Sequence, residues 1–286
     1  MLMMQEQQLP GQGMIACQGI PGAYSQITAK ELFPEGTFLY FKNFRAVARA
    51  VCEEMCDYGV LPIENNTYGS VREVYKVIGE ENISIVRGYT LRINHMLLAK
   101  PGTKLSDVKK ILSHEQALGQ CSEFLHSLGD KVQIIPALNT AVAARTVADS
   151  EDPSLAAISS PVCSEIYGLD IIKRKIADTA DNYTRFICVA KEPVLFPGAG
   201  RISMVFSLLH RPGSLATVLD VFSNAGIDLL KIESVPIPGR NFEFRFYIDI
   251  AASLADEKTI QVLKEMEELS QDLRILGCYT EEAAIG

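Results

Sequence analysis

Residues 181–191 read DNYTRFICVAK, and everything from Phe186 to Ala190 is apolar. Five such residues in a row suit a strand buried within a sheet, whereas Thr184 and Arg185 stand polar at its start. Threonine favours strands, and an arginine is at home on a solvated strand edge, so the stretch alone decides only that a strand is present. Similar runs lie upstream: MIAC (14–17), GVLPI (59–63), ISIV (83–86), VQIIP (132–136) and LAAIS (155–159). Between them the spacing is helical; over 114–128, Leu118, Cys121, Leu125 and Leu128 share one face. Strands alternating with helices imply α/β layers around a mostly parallel sheet. Ligands of such folds bind beyond the strand ends, which directs attention to polar residues at those junctions.

The 286-residue chain is long enough for one large domain or two ordinary ones, and 48% hydrophobic with 22% charged residues is a globular composition. A formal charge of −8 argues against a nucleic-acid partner. It also obliges any anionic substrate to find a local set of donors. Seven scattered cysteines have neither zinc-like nor C-x-x-C spacing, and the first 13 residues lack the regions of a signal peptide. With no apolar run of membrane-spanning length, the expectation is a reduced cytoplasmic protein with no membrane partner and a disordered leader over 1–13.

The segment KEPVLFPGAGR (191–201), rich in proline and glycine, reads as a linker, and the pattern changes beyond it. A strand, RISMVFSLL, precedes a helix opened by Pro212 and closed by Gly226; then come strands LLKIESVPI and NFEFRFYIDI, a helix over 256–271, and RILGCY. This is the βαββαβ order of a ferredoxin-like module. In the third strand Phe242, Phe244, Phe246, Ile248 and Ile250 alternate with Glu243, Arg245, Tyr247 and Asp249, which predicts one packed sheet face and one available face.

Four junctions carry the polar residues. GIPGAYSQ (19–26) places glycines, Tyr24 and Ser25 where a helix begins, a natural anion site, without the G-x-G-x-x-G spacing of a dinucleotide fold. In GVLPIENNTYGSV (59–71) a strand ends in Pro62 and is followed by Glu64, Asn65, Asn66 and Thr67. SHEQALGQC (113–121) sets Ser113 near an N-cap, with Gln116 and Gln120 one turn apart on one face. In NTAVAA (139–144), Asn139 or Thr140 caps a helix. His114 beside an N-cap is a polar first-turn residue, and no Ser-His-Asp or Cys-His order supports nucleophilic catalysis.

Taken in order, PIEN, SHEQA, YTRF and the paired PGSL and IES of the last module resemble prephenate dehydratase over roughly residues 14–282. The resemblance implies a two-lobed, periplasmic-binding-protein-like catalytic domain over 14–192, a linker over 193–200 and a ferredoxin-like ACT regulatory domain over 201–282. It implies decarboxylative dehydration of prephenate to phenylpyruvate, a step of phenylalanine biosynthesis, with arogenate dehydratase or a non-catalytic amino-acid sensor as alternatives. By the same similarity Thr184 assists the leaving hydroxyl, and Asn65, Ser113 and Gln120 are further catalytic positions. Arg185, Phe186, Tyr24, Ser25, Glu64 and Thr140 are expected to bind substrate, Arg185 by holding a carboxylate. In the last module Gly213, Ser214, Leu215, Ala216, Glu233 and Ser234 are expected to bind the effector L-phenylalanine, in a homodimer or homotetramer. The chain departs from the family at Ala23, often threonine, and at Val235, often arginine. Losing carbon dioxide and water yields an aromatic ring, so the reaction is downhill and no metal or organic cofactor is expected.

Overall fold

The computed structural model describes residues 3–4, 9–237, 239 and 243–283. Each of the six apolar runs forms a strand. The first lobe contains β1 (Met14–Gln18), α1 (Tyr24–Leu32), β2 (Thr37–Phe41), α2 (Phe44–Cys52), β3 (Tyr58–Asn65), α3 (Arg72–Glu80) and β4 (Ser84–Arg92). The chain then crosses to a second lobe, where β5 (Met96–Ala99), β6 (Lys110–Ser113), α4 (Glu115–Gly119) and α5 (Ser122–Ser127) are followed by β7 (Gln133–Pro136). That lobe continues through α6 (Thr140–Asp149), β8 (Leu155–Ser159), α7 (Pro161–Tyr167) and β9 (Asp170–Lys173), before β10 (Tyr183–Ala190) returns to the first lobe.

The sheets are mixed where a mostly parallel sheet was expected. β10 lies antiparallel between β3 and β4, because the chain re-enters the first lobe from the opposite direction. In the second lobe the order is β9-β5-β8-β6-β7, and β5 runs antiparallel to both neighbours. Pro62 lies inside β3, where it has no N–H for the ladder. A bulge answers it: Glu64 pairs with Arg185 but Pro62 with Phe186, leaving Ile63 as the extra residue.

The helix expected over 114–128 is two helices. Gln120 closes α4, and the Asp178 carboxylate accepts from the Ser122 and Glu123 amides at 3.0 Å each, capping α5 from outside. Among the described residues of the expected leader, Met3–Met4 pair with Val194–Leu195, and the Gly11 and Gly13 carbonyls accept from the Glu35 and Thr37 amides. Within the linker, Leu195, Phe196 and Ala199 are buried.

The C-terminal module comprises β11 (Arg201–Ser207), α8 (Ser214–Asn224), β12 (Leu229–Pro236), β13 (Phe244–Ala251), α9 (Glu257–Leu269) and β14 (Gln271–Ala283). Its antiparallel sheet, β12-β13-β11-β14, is ferredoxin-like. Phe242, one of the alternating aromatics, lies outside the described residues. The helix-covered face holds Met204, Phe206, Phe222, Ile248 and Met266. The other face is not available: Val205, Tyr247, Leu276 and Tyr279 share a core with Tyr75 and Ile78 of α3. The cause is β14, which extends to pair in parallel with β4, so the first-lobe and module sheets are continuous as β12-β13-β11-β14-β4-β10-β3-β1-β2. Gly277 permits this approach, since a β-carbon there would collide with the Ile85 carbonyl.

Candidate active site

β10 divides its polar residues between its two faces. Thr184 and Phe186 point into a cavity of about 560 Å³ between the lobes, lined also by Tyr24, Ser25, Asn65, Gln120 and Thr140. The cavity thus gathers the PIEN, YTRF, GAYSQ and NTAVAA junctions, together with Gln116 and Gln120 of the SHEQALGQ segment.

Asn65 faces Thr184 across the β3–β10 ladder. Its side-chain oxygen accepts from the Thr67 and Tyr68 amides at 2.9 and 3.0 Å, which fixes the amide plane. Its nitrogen then donates to Thr184 Oγ1 at 3.0 Å and to Asn182 Oδ1 at 2.9 Å. With the threonine oxygen already accepting, its own O–H is left to donate to an acceptor in the cavity.

A second chain of bonds crosses the cavity floor. Asn182 Oδ1 also accepts from Gln120 Nε2 at 3.3 Å, and Gln120 Oε1 lies 2.8 Å from His95 Nε2. Because Oε1 is an acceptor, His95 carries a proton on Nε2, and burial, which disfavours the cation, lowers its pKa below the usual histidine value. Its Nδ1 is 3.4 Å from the Tyr24 hydroxyl, which donates to the Asn94 carbonyl at 2.8 Å. Burial raises the Tyr24 pKa well above the usual range, so the phenol stays protonated.

Three expected site residues lie elsewhere. Ser113 is fully buried, with its hydroxyl donating to the Ile158 carbonyl at 2.7 Å; His114, which does line the cavity, is the N-cap of α4 in its place. Arg185 extends from the far face of β10 into the junction with the module. There it donates to Tyr279 Oη at 2.6 Å, Asp249 Oδ2 at 3.1 Å and Glu281. Burial opposes its charge, but Tyr279, Asp249 and Glu281 outweigh that and raise its pKa. Glu64 shares that far face and pairs with Lys231 at 3.0 Å. Alternation along the strand is the reason: neighbours of Asn65 and Thr184 must point the other way.

His95, Asn182 and Asn139 were not singled out as functional from sequence. Asn139 does cap α6, its oxygen accepting from the Val142 amide at 2.7 Å, while its buried Nδ2 lines the cavity with no protein partner. Arg72, the first residue of α3, was likewise missed, and it is the only lysine or arginine among the described residues lining the cavity.

In the module, Gly213 takes φ +88°, a left-handed conformation suited to glycine, and starts α8. Ser214 and Leu215 line a small cavity of about 240 Å³ with Leu208, Arg211 and Phe246. Glu233 does not join them. It faces the first lobe, where Ser70 Oγ donates to it at 2.6 Å and Arg72 lies 3.5 Å away. Ser234 pairs with Phe246 in the ladder and is exposed on the opposite face.

Residues 15–194 match the family model for prephenate dehydratase. Arogenate dehydratase/prephenate dehydratase 1 of Arabidopsis thaliana is 41% identical over 282 residues, covering 93% of this chain and 71% of that one. Among solved structures, the prephenate dehydratase of Arthrobacter aurescens in complex with L-Phe superposes with a TM-score of 0.85 at 28% identity, over 93% of this chain and 90% of that one. A protein described as a novel type of quorum quenching acylase, GqqA, superposes with a TM-score of 0.84, also at 28% identity, over 93% and 97% of the two chains. On these matches the chain belongs to the prephenate dehydratase family, whose members are lyases that remove water and carbon dioxide.

Proposed function

We propose that the chain converts prephenate to phenylpyruvate, with residues 14–192 as the catalytic part and 201–282 as a phenylalanine-sensing ACT module joined through 193–200. The observation that carries this reading is the 3.0 Å bond from Asn65 Nδ2 to Thr184 Oγ1 on the cavity wall. In the reaction, the ring carboxylate leaves as carbon dioxide, its electron pair enters the ring, and the ring hydroxyl departs. Thr184 donates to that departing oxygen, where negative charge develops. A threonine hydroxyl is too weak an acid to give up its proton fully, so its part is hydrogen bonding in the transition state. Asn65 keeps the threonine oxygen in an accepting role, and the bond between Gln120 Oε1 and His95 Nε2 fixes the amide of Gln120 toward the cavity floor.

Phenylalanine is the proposed effector, with the start of α8 as its site. The L-Phe complex of the Arthrobacter aurescens relative supports this. Exposed Leu230 and Ile232 on the edge strand β12 support self-association of the module into a homodimer or larger assembly. Seven free cysteines suit a reducing compartment, and the cytoplasm is proposed; the Arabidopsis relative is described as chloroplastic.

The test is a competition between prephenate and arogenate, which differ in a keto group against an ammonium, followed by appearance of phenylpyruvate and phenylalanine. Preferential formation of phenylpyruvate supports the reading. Preferential phenylalanine formation makes the chain an arogenate dehydratase. Turnover of neither, with hydrolysis of an acyl amide, would favour the activity described for the acylase neighbour.

A further inference from the structure

We infer that Arg72 receives the side-chain carboxylate of the substrate, and that Glu233 of the C-terminal module competes for the same guanidinium. The inference rests on the dehydratase reading above. The substrate class carries two carboxylates, and the chain has a formal charge of −8. Most cavity donors so far described are neutral: Asn65, Asn139, Gln120 and Thr184. Among the described residues, Arg72 is the only lysine or arginine in the lining, and its neighbour Glu73 is the only acidic one.

The two partners of the Arg72–Glu233 pair are unequal. Arg72 has a side chain 78% exposed, whereas that of Glu233 is 17% exposed. Glu233 is held further by the 2.6 Å bond from Ser70, itself a lining residue. The contact of 3.5 Å leaves room for a closer partner. A substrate carboxylate offering two oxygens to the guanidinium therefore displaces Arg72 from Glu233 without unfolding anything, and Glu233 keeps its bond to Ser70.

Chemistry decides which carboxylate. A cation on the ring carboxylate would hold charge that must flow into the ring, stabilising the ground state more than the transition state. Placed on the side-chain carboxylate it binds both states alike and leaves decarboxylation unhindered. Glu233 belongs to β12 of the module, so the module's position sets how strongly Arg72 is held. By reciprocity, substrate taking Arg72 loosens the module's hold on the first lobe.

Three variants test this: Arg72→Gln, Glu233→Gln and both together, each examined by steady-state kinetics and by calorimetry with phenylpyruvate. Phenylpyruvate retains the side-chain carboxylate and lacks the ring one. Loss of a charge-assisted bond predicts that Arg72→Gln raises KM and weakens phenylpyruvate binding by about tenfold or more, with kcat changed less than about threefold. Glu233→Gln, which preserves an acceptor for Ser70, lowers KM, and does nothing further when Arg72 is absent. An unchanged KM in Arg72→Gln overturns the proposal, as does a Glu233→Gln effect that persists without Arg72. If prephenate is not turned over but phenylpyruvate binds in an Arg72-dependent way, the anion site stands and the dehydratase reading falls. If turnover proceeds while phenylpyruvate binds equally to wild type and Arg72→Gln, the reading stands and this proposal falls; if phenylpyruvate binds to neither and nothing is turned over, both fall.

Discussion

The role proposed for Thr184 rests on one hydroxyl, which accepts from Asn65 Nδ2 and keeps its O–H to donate. Removing it in Thr184→Ala lowers kcat by about 100-fold or more, within the range of general-acid assistance, and leaves KM nearly unchanged. Near-wild-type turnover in that variant would remove Thr184 from the chemistry. His95 gives a second expectation. Its folded pKa lies below the ordinary value because burial disfavours the cation, and an unfolded histidine titrates near pH 6.5. The unfolded chain therefore binds more protons just below about pH 6.5, and stability falls as pH drops through that window toward the folded pKa. The stabilisation is complete above it. Protonation adds the second proton at Nδ1, beside the Tyr24 hydroxyl, and puts a charge into this buried network while the Nε2 bond to Gln120 stays; the acid limb of kcat/KM is expected below about pH 6.5 and shifts in His95→Gln. His114 is depressed in the same direction by burial; an acid limb identical in His95→Gln and wild type would assign it to His114 or another group.

At the scale of elements, β10 joins two environments, and Arg185 is the tie between strand and module. Its contacts with Asp249 and Glu281 are nearly enclosed, the arginine and Asp249 side chains being 9% and 5% exposed. Replacing it with methionine strands those carboxylates at a cost of about 3–5 kcal/mol, only partly relieved by Arg201, while KM changes little. A raised KM with unchanged unfolding free energy would return Arg185 to the substrate. Sequence shows that Thr184 and Arg185 face opposite ways, but not which face meets the cleft. Here the far face is buried too, against β13 and β14, so polarity alone could not separate the two. The same limit explains Ser113: the junction is legible, but not that the serine turns inward while His114 caps. The strands with long apolar runs were legible, whereas the short β2, β5, β6 and β9 and the reversed direction of β10 depend on pairing between distant segments. His95 and Arg72 likewise acquire meaning only when other segments fold against them.

At the scale of the whole molecule, the continuous sheet makes the module part of the first lobe's framework. Phenylalanine bound near α8 changes catalysis only if it binds one arrangement of lobes and module better than another. Calorimetry should show saturable phenylalanine binding accompanied by a change in rate, both lost in Gly213→Val, whose left-handed backbone at φ +88° disfavours a β-branched side chain. Binding that survives in Gly213→Val would move the effector elsewhere. The family is legible because its junction motifs survive in order, and the match over 15–194 carries it. The central claim, that this cavity removes water and carbon dioxide from prephenate by positioned side chains alone, is tested most directly by single-turnover conversion with enzyme in excess, in chelator and without added cofactor. The account predicts stoichiometric phenylpyruvate and carbon dioxide from wild type and a strongly slowed conversion by Thr184→Ala; prephenate recovered unchanged from wild type, or conversion only after a divalent ion is restored, would contradict it.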